Sequence, residues 1–204
     1  MMKRWELPQG WGWRRLGDEE VSTVIMGQSP PSTTYNGLGE GLPFFQGKAD
    51  FGEMYPNVRQ WCTKPIKVSL PGDVLISVRA PVGPTNLNKE KCIIGRGLAA
   101  IRPSGRVLPK YLLFVLRAFE NKITSQGSGS TFGAITKTTL EKFEVPIPYP
   151  DDPARSLAEQ QRIVARLEAL LGEVRALRED VQSMRRDLDA LEQSILAAAF
   201  RGGG

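Results

Sequence analysis

The sequence predicts an α+β domain of many short strands over residues 1–152, followed by a single long coiled-coil helix over 153–204. Three observations carry that expectation. Fourteen of the fifteen prolines precede residue 151, so the first part is cut repeatedly by turn chemistry. Between Pro153 and Gly202 there is no proline, and Gly172 is the only glycine. Charge divides at the same place: residues 1–150 carry 19 basic and 12 acidic side chains, net +7, against 8 and 10, net −2, in 151–204.

Within the first part, apolar and β-branched runs at 21–26, 66–68, 73–78, 92–94, 98–102 and 143–146 are bounded by Pro, Gly or Asn and read as strands. Pro109 opens a helix over 110–125, with Leu112, Leu113, Leu116, Phe119 and Ile123 on one apolar face. A short helix is expected over 136–140. The Gly/Ser/Thr-rich stretches 27–42 and 125–133 read as loops.

The second part is more regular. Ile163, Leu167, Leu170, Val174, Leu177, Val181, Met184, Leu188, Leu191 and Ile195 recur with alternating spacings of four and three, the a and d positions of a coiled coil. A helix over 157–199 is about 65 Å long, and its seam facing water is unfavourable by many kcal/mol. It calls for a partner helix, which the first part cannot supply along its whole length.

Composition removes several chemistries. The 204 residues include no histidine, so there is no Ser-His-Asp or Cys-His nucleophile and no HExxH zinc site. Two cysteines, Cys62 and Cys92, are too few for a zinc cluster or a disulfide framework and fit a reducing cytosol. No apolar run approaches the roughly 20 residues of a membrane span, and the start lacks the apolar core of a signal peptide. The Gly-rich runs 37–41 and 127–133 lack the spacing of a phosphate loop. The adjacent acids at 18–20 and 151–152 have no spaced partners to complete a metal site and read as solvated turns and helix starts. No catalytic or metal-binding set is expected.

The basic and amide side chains of the first part are the functional candidates. Gln28, Ser29, Gln46, Lys48, Arg79, Asn86, Arg96, Ser128, Ser130, Thr131 and Lys137 lie in or beside expected loops, as do Arg59, Lys64, Lys89, Lys91 and Arg102. Arg, Lys, Asn and Gln match the donor and acceptor patterns of guanine and adenine edges, while Lys, Ser and Thr also bind phosphate. With a pI near 9.4, a polyanionic partner fits.

Three stretches carry a resemblance. The run 5–17 (WELPQGWGWRRLG) is similar to the entry into a target-recognition domain. Residues 26–31 (MGQSPP) resemble the loop after that domain's first strand. The most specific stretch joins Gly129, Ser130, Thr131, Phe132, Ile135, Leu140 and VPIP at 145–148 to LAEQQRIV at 157–164; AFRG at 199–202 resembles the close of the helix that follows. Together they resemble the specificity (S) subunit of type I restriction–modification systems, over essentially the whole chain.

The resemblance implies a mixed-sheet target-recognition domain, double-stranded DNA as partner, and no catalysis by the chain itself. S-adenosylmethionine and adenine methylation belong to a modification subunit, cleavage to a motor–nuclease subunit, and the setting is cytoplasmic. The missing Asn/Asp-Pro-Pro-Tyr/Phe motif agrees with the absence of methyltransferase chemistry. Family members hold two recognition domains and two long helices; one of each here resembles half a subunit, expected to homodimerise through 163–195 and read an inverted repeat. Antiparallel pairing is the family arrangement. The flanking charges pair better in parallel, Glu173 with Arg178 and Asp180 with Arg185, at about 0.2–1 kcal/mol each. A coiled-coil adaptor that binds protein rather than DNA explains the helix equally well but leaves the basic surplus unexplained.

Overall fold

The computed structural model describes residues 6–127 and 134–201. Strands β1 (Trp11–Arg15), β2 (Ser22–Met26), β3 (Tyr35–Asn36), β4 (Leu42–Phe45), β5 (Trp61–Cys62), β6 (Val68–Ser69), β7 (Val74–Ser77), β8 (Thr85–Leu87), β9 (Cys92–Ile94) and β10 (Leu98–Pro103) come first. They are followed by α1 (Pro109–Ala118), α2 (Glu120–Gly127), α3 (Lys137–Glu141), β11 (Glu144–Pro148) and the long α4 (Pro153–Phe200). The architecture is α+β. An antiparallel sheet runs β2-β10-β7-β8, and a mixed sheet runs β3-β5-β4-β9-β6, its one parallel pair being β4 with β9. β1 and β11 form a separate antiparallel ribbon.

Period-two alternation explains how the two larger sheets share a core. Phe45, Cys92 and Ile94 of the mixed sheet pack with Leu75, Leu98 and Ala100 of the antiparallel one. The intervening residues Phe44 and Ile93 turn to the other face, where they meet Cys62, Tyr35 and Leu42. These partners belong to the same sheet, and Phe44, Cys62 and Ile93 are as buried there as Phe45, Cys92 and Ile94 are on the shared face.

The helix expected over 110–125 is two helices. Pro109 stands at its first turn, but the backbone leaves helical geometry at Phe119 (φ −100°, ψ 10°). The ring of Phe119 is buried edge-on against Trp13 (5.9 Å) and Phe143 (6.0 Å), so aromatic packing against β1 and the segment before β11 overrides helical continuity. Strands β1, β3, β4, β5 and β8 were not expected; β3 lies inside the stretch 27–42 read as a loop and forms by pairing with β5. Of the expected strand at 66–68 only Val68 is paired, and Ile66 stays exposed.

A buried polar network fixes the turn before β7. The carboxylate of Asp73, 1% exposed, accepts from Arg102 Nε and Nη2 (both 2.9 Å), from Ser69 Oγ (3.0 Å) and from Leu70 N (2.8 Å). Asn88 Nδ2 donates to Ser69 Oγ (2.9 Å) and to the Leu70 carbonyl (3.0 Å). Arg102, a loop-side candidate by sequence, thus lies on β10 and is held by Asp73.

Two compact units divide the chain, residues 1–162 and 163–204. The compositional boundary at 152/153 coincides with the start of α4, and the first unit extends ten residues beyond it. The reason is Gln160, fully buried: its Oε1 accepts from Leu108 N (2.8 Å) while Nε2 donates to the Arg106 carbonyl and to Ser156 Oγ (both 3.0 Å). In the second unit, from Leu170 onward, every a and d side chain of the seam is exposed, from 37% at Leu170 to 64% at Met184 and Leu188.

Candidate nucleic-acid interface

The ends of four strands meet at one glycine-rich turn. After β2, Gly27 N donates to the Leu98 carbonyl (2.9 Å) and Gln28 N to the Ile94 carbonyl (3.0 Å). Gly95 N, just past β9, donates to the Phe45 carbonyl (2.8 Å) at the end of β4, and Val78 N, just past β7, donates to the Gly97 carbonyl (2.9 Å). Arg96 N donates to Ser29 Oγ (3.1 Å). A Cβ at Gly27 would strike the Gly95 carbonyl, and one at Gly97 would strike the Gln46 carbonyl. Glycine is required here because main chain touches main chain.

Polar and basic residues flank this hub. Gln28, Gln46, Lys48, Arg79 and Arg96 are exposed and Ser29 is half-buried. Beside them opens a cleft of about 730 Å³, lined by Phe44, Gln46, Lys48, Arg59, Gln60 and Pro81 among others. Gln46 Nε2 donates to Gln60 Oε1 (3.0 Å), and the Gln46 amide N donates to Asp50 Oδ2 (2.7 Å). Tyr35 pins the 28–31 loop by donating its hydroxyl to the Pro30 carbonyl (2.6 Å); burial and the nearby Cys62 push its phenol above the usual range. Ile135 N donates to the Val78 carbonyl (2.9 Å), which brings the chain following 128–133 to this same end.

Positive charge predominates around the cleft. Lys48, Arg59, Arg79 and Arg96 form no ion pair with any described carboxylate, and the one acid lining the cleft, Asp50, has Oδ2 engaged by backbone amides. Four unneutralised cations, two amides and close-approaching backbone suit a polyanion with readable edges. Among the described residues, no group of three or more His, Cys, Asp or Glu could hold a metal ion. Nor is any described helix long and apolar enough to cross a membrane.

Six of the candidates, Gln28, Ser29, Gln46, Lys48, Arg79 and Arg96, are brought together here. Asn86 is not. It lies on β8, 1% exposed, where Oδ1 accepts from Gly52 N (3.0 Å) and Nδ2 donates to the Gly52 and Thr85 carbonyls (both 2.9 Å). Its amide sutures the 52 loop to the sheet and faces no solvent. Lys137, on α3, is exposed and paired with Glu141 (3.4 Å). Ser128, Ser130 and Thr131 lie outside the described residues. Gln60 was missed because nothing marks it in sequence; only the pairing of β4 with β5, which has Phe44 N donate to the Gln60 carbonyl (2.9 Å), sets it opposite Gln46.

Comparison with known proteins places these observations. Residues 8–180 match the family model described as type I restriction modification DNA specificity domain. A Methanocaldococcus jannaschii protein named as the type I restriction enzyme MjaX specificity subunit is 45% identical over 165 residues, which is 80% of this chain and 37% of that protein. The crystal structure of the HsdS subunit from Thermoanaerobacter tengcongensis superposes with a TM-score of 0.78 at 48% identity, covering 99% of this chain and 47% of that one. A chain from a structural study of complex assembly and conformational transition of the type I R-M system gives a TM-score of 0.86 at 50% identity, covering 99% and 48%. The chain thus spans half or less of the length of these relatives.

Proposed function

Since the chain belongs to the type I restriction–modification DNA specificity family, we propose that its first unit reads one segment of duplex DNA through the face built around the glycine hub. The observation that carries this reading is the cleft lined by Gln46, Gln60, Lys48 and Arg59 beside the hub that holds the backbone near Arg79 and Arg96, these four cations forming no ion pair with any described carboxylate. Amide and guanidinium groups discriminate base edges, while lysine and the exposed amides of the hub bind phosphate.

In this reading the chain performs no chemistry. A modification subunit supplies S-adenosylmethionine and methylation, a motor–nuclease subunit supplies cleavage, and the complex works in the cytoplasm. The exposed seam of the second unit is covered by the matching seam of a second copy, antiparallel. That arrangement places two reading faces on one duplex and makes the target an inverted repeat with an unread spacer.

Direct binding to a random-sequence duplex, by the chain alone and with a modification subunit, tests the central claim. The parent chain is expected to bind. The triple variant Lys48→Ala, Arg79→Ala, Arg96→Ala is expected to lose tenfold or more, whereas Lys137→Ala is near parental. Equal binding by the triple variant overturns the assignment of this face. Absence of binding in both settings favours a coiled-coil adaptor instead.

A further inference from the structure

We propose that Gln46 reads an adenine in the major groove and that Gln60 is the positioning residue that fixes the hand with which it reads. The proposal deepens the DNA-reading function above and rests on it. A glutamine side chain has one acceptor oxygen and two N–H donors. One N–H of Gln46 is taken by Gln60 Oε1 at 3.0 Å. What remains is a single acceptor and a single donor.

That remainder matches one base. Adenine presents a donor, N6–H₂, beside an acceptor, N7, whereas guanine presents two acceptors, N7 and O6. Against guanine, Gln46 Oε1 would face O6 with no proton between them. Turning the Gln46 amide over alone to serve guanine would set its oxygen against Gln60 Oε1, two acceptors again, so the hand changes only when both amides turn over together. Gln60 therefore ties the preference of Gln46 to its own orientation without touching DNA.

The root of Gln46 is as constrained as its tip. Its amide N is held by Asp50 Oδ2 (2.7 Å), and its carbonyl lies against Gly97, where no side chain fits between. The side chain itself is exposed, at the mouth of the cleft, with Lys48 and Arg59 beside it to take phosphates. A fixed root, an oriented amide and flanking cations are the parts of a base reader that is organised before it binds.

Enrichment from a pool of randomised duplexes, using the full chain alone and with a modification subunit, tests this. The parent is expected to enrich adenine at a position where Gln46→Ala loses the preference while the rest of the motif survives. Gln46→Arg is expected to shift that position to guanine, and Gln60→Ala to relax it to a mixture with a smaller loss of affinity. Replacing that adenine by 7-deazaadenine, which lacks the N7 acceptor, is expected to weaken the parent about tenfold and leave Gln46→Ala unchanged. A motif that Gln46→Ala leaves intact, or alters at a G·C pair, overturns the adenine assignment while leaving DNA reading in place. A parent that enriches nothing in either setting overturns the DNA-reading function itself, and the assignment with it.

Discussion

Asp73 and Arg102 grip each other through two parallel hydrogen bonds of 2.9 Å, a buried carboxylate on one side and a partly exposed guanidinium on the other. The pair links the turn before β7 to the adjacent strand β10, so it acts on the antiparallel sheet as a whole. Asp73→Ala is expected to lose about 3 kcal/mol in urea unfolding, because Ser69, Leu70 and Arg102 all lose an acceptor. The double variant with Arg102→Ala is expected to be little worse than Asp73→Ala alone, a non-additivity that a double-mutant cycle measures.

Gln160 satisfies three polar groups at once where α4 meets the entrance of α1. Gln160→Ala leaves Leu108 N and the Arg106 carbonyl without this partner, and a loss of about 2–3 kcal/mol is expected. Its exposed neighbour provides the control: Gln161→Ala is expected to change unfolding by less than about 0.5 kcal/mol.

Stability should fall at alkaline pH for a reason located at Cys92. Burial pushes this thiol from its ordinary value near 9 up to about 12, so the folded chain keeps a proton that the unfolded chain releases. With more protons bound in the folded state, stability is fully present below pH 9 and declines as pH rises from 9 towards 12. Between pH 8.5 and 10 the expected contribution is a loss of about 1 kcal/mol, and Cys92→Ala is expected to flatten the decline by that amount in denaturant titrations.

DNA affinity should carry the signature of phosphate contacts. Plotted as log affinity against log salt, binding is expected to follow a slope of about −0.9 for each phosphate neutralised. Removing Lys48 or Arg59 is expected to flatten the slope by about one where that side chain meets phosphate, with little change in base preference.

The seam of the second unit gives a register test. Cysteines at Val174 and Met184 in separate copies are expected to crosslink, and two copies carrying cysteine at Val174 alone are not. The opposite pattern would establish parallel pairing.

How much of this was legible in sequence varied with the range of the forces involved. The seam from Ile163 to Ile195 was readable because helical periodicity is local and ten successive a and d positions carry it. Buried strands β7, β9 and β10 were readable from their apolar runs. Strands β4 and β5 were not, since four and two residues that include Pro43 and Trp61 become strands only through pairing partners distant in the chain. Asn86 and Gln46 look alike as polar residues near turns. What separates them is Gly52, whose backbone claims one amide, and the open cleft, which leaves the other at the surface. The family junction was the most informative local signal, and the structure supplies its physical content in the buried Gln160.

The contact of Gly27, Gly95 and Gly97 with neighbouring backbone has a consequence for how such a molecule can change its preference. Peptide groups lock the four strand termini there, with Ser29 Oγ joining them through Arg96 N, while the exposed side chains of Gln28, Lys48, Arg79 and Arg96 make none of the hydrogen bonds that hold the hub. Under the proposed DNA-reading function, substitutions at 28, 46, 48, 60, 79 or 96 alter which letters are accepted while the frame stays put. A scaffold divided in this way is free to acquire new specificities one side chain at a time.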